Sequence, residues 1–246
     1  MSRSNAAFFC PKSLSLHIMI NVEICCNSVE SARNAKAAGA KRIELCDNLE
    51  VGGLTPPENA VEECVKELKL RTHVLVRPRA GDFCYSQSEY EVIKRQVEMC
   101  SRCGAHAVVV GFLHEDGTVD VERTREIVRI AVPMQVTFHR AFDECTEPFT
   151  ALEKIIECGC HRILTSGCAA SAEIGIPLLR QLVGKAAGRI IILAGAGITP
   201  QNAAEIVNKT HVPEIHGSCK RTLSDGSLIT DEETVEKLLN VVKDLK

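Results

Sequence analysis

The 246-residue chain has no uninterrupted apolar run approaching the roughly 20 residues that a membrane-spanning helix needs. Charge of neither sign dominates. The 29 lysines and arginines face 32 aspartates and glutamates, a formal net charge of -3. Such a balance leaves no electrostatic footprint for nucleic acid or an anionic membrane, so neither is expected as a partner. No linker, low-complexity stretch or compositional break interrupts the chain, and the apolar segment Ala6–Cys10 is too short for a signal-peptide core. A disulfide scaffold is equally absent. The 13 cysteines are odd in number, and some lie inside strand-like runs such as Val22-Glu23-Ile24-Cys25-Cys26. Reduced thiols in a cytosolic protein follow. What remains is an ordinary globular composition, 45% hydrophobic and 25% charged, long enough to bury a core unaided.

Residues 1–18 contain no acidic residue, carry Arg3 and Lys12, and are rich in serine. Two basic residues without an amphipathic face are too few for mitochondrial targeting. This segment is read as a disordered extension, with one domain over 19–246.

Downstream, short β-branched runs alternate with longer segments of helical period. Strands are expected at Val22–Cys26, Arg42–Cys46, Val74–Arg77, Ala107–Phe112, Gln135–His139, Arg162–Thr165, Ile190–Ala194 and Glu214–His216. Helices are expected over 29–38, 57–69, 88–103, 120–131, 148–158, 173–186 and 200–209. A C-terminal extra helix over 231–244 opens at Thr230 and Glu233. Asn27 with Glu30, and Ser86 with Glu89, have the spacing of capping pairs. Eight such units match a (β/α)8 TIM-type barrel of the α/β class. A doubly wound open sheet would usually carry a glycine-rich fingerprint after its first strand, where Cys26-Asn27-Ser28-Val29 stands instead.

Barrel sites are built at the carboxyl ends of the strands. Strands one and two each place a glutamate two residues before a cysteine, Glu23 with Cys25 and Glu44 with Cys46, on one strand face. If the two cysteines come into register, their thiolates face each other across a small ion. Two soft ligands with no further donor suit Cu(I) better than Zn²⁺. The alternative is a pair of small buried hydrophobes. A carboxylate facing the barrel interior needs a cationic answer, and Arg77, Arg79, His139 and Arg140 are candidates. Asn48, Thr165, Ser166 and His216 add polar tips, and Gly195 and Gly197 expose backbone amides where barrels often bind phosphate. This set is either an ion-pair brace or a site for an anionic or phosphorylated small molecule. In the second case Glu23, Glu44, Arg77, His139 and Arg140 are the candidate catalytic residues, with His139 as acid or base and Arg77 as an anion clamp. No reaction is assigned, although the charged mouth resembles an active site. Cys100 and Cys103 have metal-type spacing without a partnering pair, and packing explains them more simply.

The runs Val22-Glu23-Ile24-Cys25, Asn27-Ser28-Val29-Glu30-Ser31-Ala32 and Arg42-Ile43-Glu44-Leu45-Cys46 resemble the start of a CutC-type copper homeostasis protein. Further matches are Gly52-Gly53-Leu54-Thr55-Pro56, Val76-Arg77-Pro78-Arg79, Gly81-Asp82-Phe83, Val136 to Asp143 and Arg162 to Gly167. The resemblance spans about residues 20–220. It implies a (β/α)8 barrel and a homo-oligomer, dimer or tetramer, in the cytoplasm, with the nucleus as a second compartment. It also implies copper as the partner, with Cu(I) between Cys25 and Cys46. Departures from the family pattern are Ala80 after Arg79, Ala194-Gly195-Ala196-Gly197 in place of a proline-led glycine run, and Cys219 after Ser218.

Overall fold

The computed structural model describes residues 20–243 and Leu245, so the expected extension over 1–18 lies outside the described residues. Eight parallel strands close a barrel in sequence order. They are β1 (Asn21–Cys26), β2 (Arg42–Leu45), β3 (Arg71–Leu75), β4 (Ala107–Val110), β5 (Gln135–Phe138), β6 (Arg162–Thr165), β7 (Ile191–Ala194) and β8 (Glu214–Gly217). Helices follow each strand: α1 (Val29–Ala37), α2 (Glu58–Glu62), α3 (Gln87–Cys103), α4 (Val121–Ala131), α5 (Pro148–Cys158), α6 (Ile176–Ala186), α7 (Ala203–Thr210) and α8 (Glu232–Lys243). The C-terminal helix is thus the eighth of the barrel rather than an addition to it. A hairpin, the exposed β9 (Lys220–Thr222) paired with the largely buried β10 (Leu228–Thr230), separates β8 from α8. It is tied to the first unit, where Asn27 and Asn34 donate to the carbonyls of Leu228 at 2.9 Å and Thr230 at 3.0 Å.

Alternation along the strands decides where the core lies. One face of each strand is apolar: Ile24 and Cys26, Ile43 and Leu45, Val108 and Val110, Val136 and Phe138 all join the cluster beneath the helices. The opposite face points into the barrel and is largely polar, with Glu23, Arg42, Glu44, His73, Thr137, Arg162, Glu214 and His216 buried. Barrel interiors are more often filled by Val, Ile and Leu. This polar filling explains why β3 begins at Arg71 instead of Val74: Arg71 and His73 belong to the inner face and do not read as strand residues by hydropathy. Ser86 closes a capping box with Glu89, as its spacing predicts. At α1 the cap is Ser28, accepting from the Ser31 amide, whereas Asn27 accepts from the Ser31 hydroxyl. Helix α6 starts three residues later than the periodicity suggests. Gly175 packs so tightly on the Ser166 backbone that a Cβ there would stand 1.7 Å from its carbonyl oxygen, and the chain turns before it can coil.

Candidate metal and ligand site at the barrel mouth

Glu23 sits 1% exposed inside the barrel, with Arg42 Nε at 3.0 Å, His73 Nδ1 at 2.7 Å and His216 Nδ1 at 3.0 Å. Burial opposes its ionisation, but His73, His216 and Arg42 hold it well below the usual carboxylate range. Burial pushes His73 itself down. Deeper in the barrel, Glu214 accepts from Arg42 at 2.6 Å and from Arg162 at 2.8 Å. Two carboxylates therefore meet two guanidinium groups. The cations that answer the interior glutamates are Arg42, Arg162 and His216, not the expected Arg77, Arg79, His139 and Arg140. Arg42 was legible as a member of the inner face, since it stands two residues before Glu44 just as Glu44 stands two before Cys46.

Toward the carboxyl ends, Cys25 Sγ and Cys46 Sγ lie 3.9 Å apart. Strict register does not bring them together. Cys25 is the ladder partner of Glu44, and Cys46 is the diagonal neighbour two residues on. The two thiols form a small apolar cluster with Leu75 and Val109. The hydrogen bond with Cys46, then burial, then the charges of Cys46 and Glu44 push the Cys25 thiol well above its ordinary range. Cys25 also approaches a second pair of donors. Its sulfur, a Glu44 oxygen and a His216 nitrogen all lie within 4.8 Å of one another, a grouping that could hold a metal ion. The expectation that no further donor stands near the thiols is corrected on this point. His216 Nε2 is 3.7 Å from Glu44 while its Nδ1 engages Glu23. Burial opposes its protonation, but Glu44, Cys25 and Glu23 raise it well above the usual histidine range, so it is cationic. Burial raises the Glu44 carboxyl.

A cavity of about 640 Å³ opens above this floor. Of the residues singled out from the sequence, Cys25, Glu44, Arg77, His139, Arg140, Gly197 and His216 line it. The others do not. Glu23 and Cys46 lie beneath it. Arg79 is held away from the cavity by Glu89 at 2.5 Å and Asp82 at 2.9 Å. Thr165 and Ser166 turn their hydroxyls to Asp143, which also accepts from the amides of Ser166 and Cys168 at 3.1 Å. Gly195 lies against the Leu164 side chain, whose Cδ1 a Cβ there would meet at 2.5 Å. Arg77 braces loops, donating to the carbonyls of Val51 at 3.0 Å, Gly53 at 3.2 Å and Gly81 at 2.7 Å. Cys100 and Cys103 are buried in the helical layer.

Backbone conformation marks the same end of the barrel. Among the described residues, seven other than glycine have positive φ. Lys69, Ala187 and His211 end helical segments, where a left-handed residue is a common cap. Asn48, Cys168, Ala196 and Cys219 instead occupy the loops after β2, β6, β7 and β8. Strained residues of this kind concentrate at functional sites.

The CutC family matches residues 20–221. A family protein CutC from Vibrio vulnificus (strain YJ016) is 46% identical over 203 residues, 82% of this chain and 81% of that one. Its counterpart in Bacteroides thetaiotaomicron is 40% identical over 242 residues, covering 91% of this chain and 97% of its own. A solved structure from Streptococcus agalactiae, described as a candidate copper homeostasis protein CutC, has a TM-score of 0.77 at 29% identity and covers 81% of this chain and 99% of that chain. A thiamine phosphate pyrophosphorylase from Pyrococcus furiosus shares the fold at a TM-score of 0.61 and 18% identity, over 94% of this chain and 99% of that one. The likeness runs through both cysteine strands, the mouth loops and the whole ring of eight strands, and the chain belongs to the CutC family.

Proposed function

We propose that the protein binds one Cu(I) ion between Cys25 and Cys46 and handles it as cargo in cytoplasmic copper homeostasis. The 3.9 Å separation of the two sulfurs carries this reading. Two metal–thiolate bonds of about 2.3 Å can span at most about 4.6 Å, so one ion reaches both sulfurs. Their apolar surroundings and soft donor chemistry favour a monovalent soft ion. Ligation displaces the thiol protons, because only thiolate coordinates. A two-thiolate Cu(I) centre bears one net negative charge, and the neighbouring cationic His216 offsets it. While His216 remains protonated it is not itself a ligand. The 12 described cysteines are all free, which suits a reducing compartment. The Streptococcus agalactiae relative's description points to copper as well.

An anaerobic Cu(I) titration against a competing chelator tests the reading. One ion per chain is expected. Cys25→Ser and Cys46→Ser should each weaken binding by more than the roughly 10–100-fold that losing a supporting group costs, with the fold intact by circular dichroism. Undiminished affinity in both variants would contradict it.

A further inference from the structure

The cavity is far larger than one ion requires, and the side away from the thiols carries donors that nothing in the protein uses. Arg77 is 6% exposed, and among the described residues no carboxylate stands within ion-pair distance of it. Its partners are three neutral carbonyls, and its buried Nε has none. A buried guanidinium without a counter-charge is costly. His139, 5% exposed, repeats the pattern. Its Nδ1 accepts from the Ala141 amide at 3.1 Å, which places the ring proton on Nε2, and Nε2 is buried without a partner. Burial, then Arg77, depresses this histidine to about 3, so it presents a neutral N–H. The Phe83 ring lies against both groups, 4.8 Å from the His139 ring and 5.0 Å from the Arg77 guanidinium carbon. Arg140, half exposed beside them, adds a guanidinium that only Asp143 engages as a charge partner.

From this we infer that the cavity is a second ligand site, for a small organic oxyanion, with its anionic group on the Arg77, His139 and Arg140 side and its organic part against Phe83. Phosphate monoesters and carboxylates share the required chemistry: several oxygen acceptors and a negative charge to answer Arg77, which has no counter-charge, and the half-exposed Arg140 at the cavity wall, with the unpartnered His139 N–H buried behind it. A volume of about 640 Å³ lies within the roughly 300–1,000 Å³ of small-molecule pockets. This site does not need the thiols, so it stands or falls separately from copper binding.

Thermal unfolding of the full chain with inorganic phosphate or malonate, against chloride at equal ionic strength, tests it. Side-chain ¹H–¹⁵N spectra of the histidines supply a second readout. A saturable rise in Tm is expected, together with movement of the His139 Nε2 resonance. A response to phosphate alone assigns the ester class, and a response to malonate alone assigns the carboxylate class. Arg140→Gln should weaken the response at least about tenfold. Arg189→Gln, on the outer helical layer, and Cys25→Ser with Cys46→Ser should leave it unchanged. Absence of any saturable rise, or a rise equal in Arg140→Gln with a motionless His139 resonance, would overturn the inference.

Discussion

His139 is the residue whose surroundings most constrain its chemistry. It was expected to act as an acid or base at the mouth, and it does line the cavity. A histidine held near 3 by burial and by Arg77 does not exchange protons near neutral pH; it donates a hydrogen bond. Its ionisation bears on stability with a definite sign. The folded value lies below the roughly 6.5 of an unfolded chain, so the contribution is present above pH 6.5 and is lost as pH falls toward 3. By pH 4.5 the loss is about 3 kcal/mol. Urea unfolding at pH 7 and pH 4.5 should therefore show a smaller acid penalty in His139→Asn than in the native protein. Equal penalties would show that His139 is not the group being protonated. Glu23, Glu44, Arg77, His139, Arg140 and His216 were all legible as polar residues at strand ends. Their partners were not, because hydropathy alternation says which face a residue shares and nothing of which neighbour it meets across the barrel.

At the scale of elements, the loops after the strands set the site, and they hold most of what periodicity could not resolve. The β6–α6 connection is the clearest case. Gly167, at φ 73°, and Gly175 approach each other so closely that a Cβ on either meets backbone atoms of the opposite residue or its neighbour. Closure of this loop positions Ser166 and Cys168 around Asp143, which in turn holds Arg140 at 2.8 Å. Gly175→Ala should force the two segments apart, lower stability by about 2–3 kcal/mol and weaken any ligand response that depends on Arg140. Chemical denaturation of the variant measures the first effect, and a change below 0.5 kcal/mol would mean the loop yields freely. The β9–β10 hairpin went unread because its first strand is wholly exposed and carries no alternation. Its Asp225-Gly226 turn, with Gly226 at φ 85°, is nevertheless an ordinary hairpin signal.

Across the whole molecule, regular alternation of strand and helix made the barrel legible from end to end, since each unit buries its apolar face in the same way. What hydropathy did not reveal is that the barrel is filled by charge. Glu214 on β8 draws Arg42 from β2 and Arg162 from β6 into one network that spans the ring. Glu23 on β1 adds His73 from β3. Glu214→Gln would leave Arg42 with Glu23 alone and the buried Arg162 with no carboxylate, at a cost of about 3–5 kcal/mol. Equilibrium unfolding would report it, and a neutral effect would mean water or rearrangement supplies the missing charge. The same network fixes one ring nitrogen of His216 and so sets the charge facing Cys25 and Glu44. The thiol pair was visible as two cysteines at matching strand ends. Its closeness depends on the diagonal relation of Cys25 to Cys46, which strand tilt decides and sequence spacing does not.

Copper K-edge X-ray absorption of the anaerobically loaded protein examines that pair most directly. Binding between Cys25 and Cys46 should give two sulfur scatterers at about 2.3 Å, one of them lost in Cys46→Ser. A shell of nitrogen or oxygen ligands, unchanged by that substitution, would place the ion elsewhere and contradict the two-thiolate site.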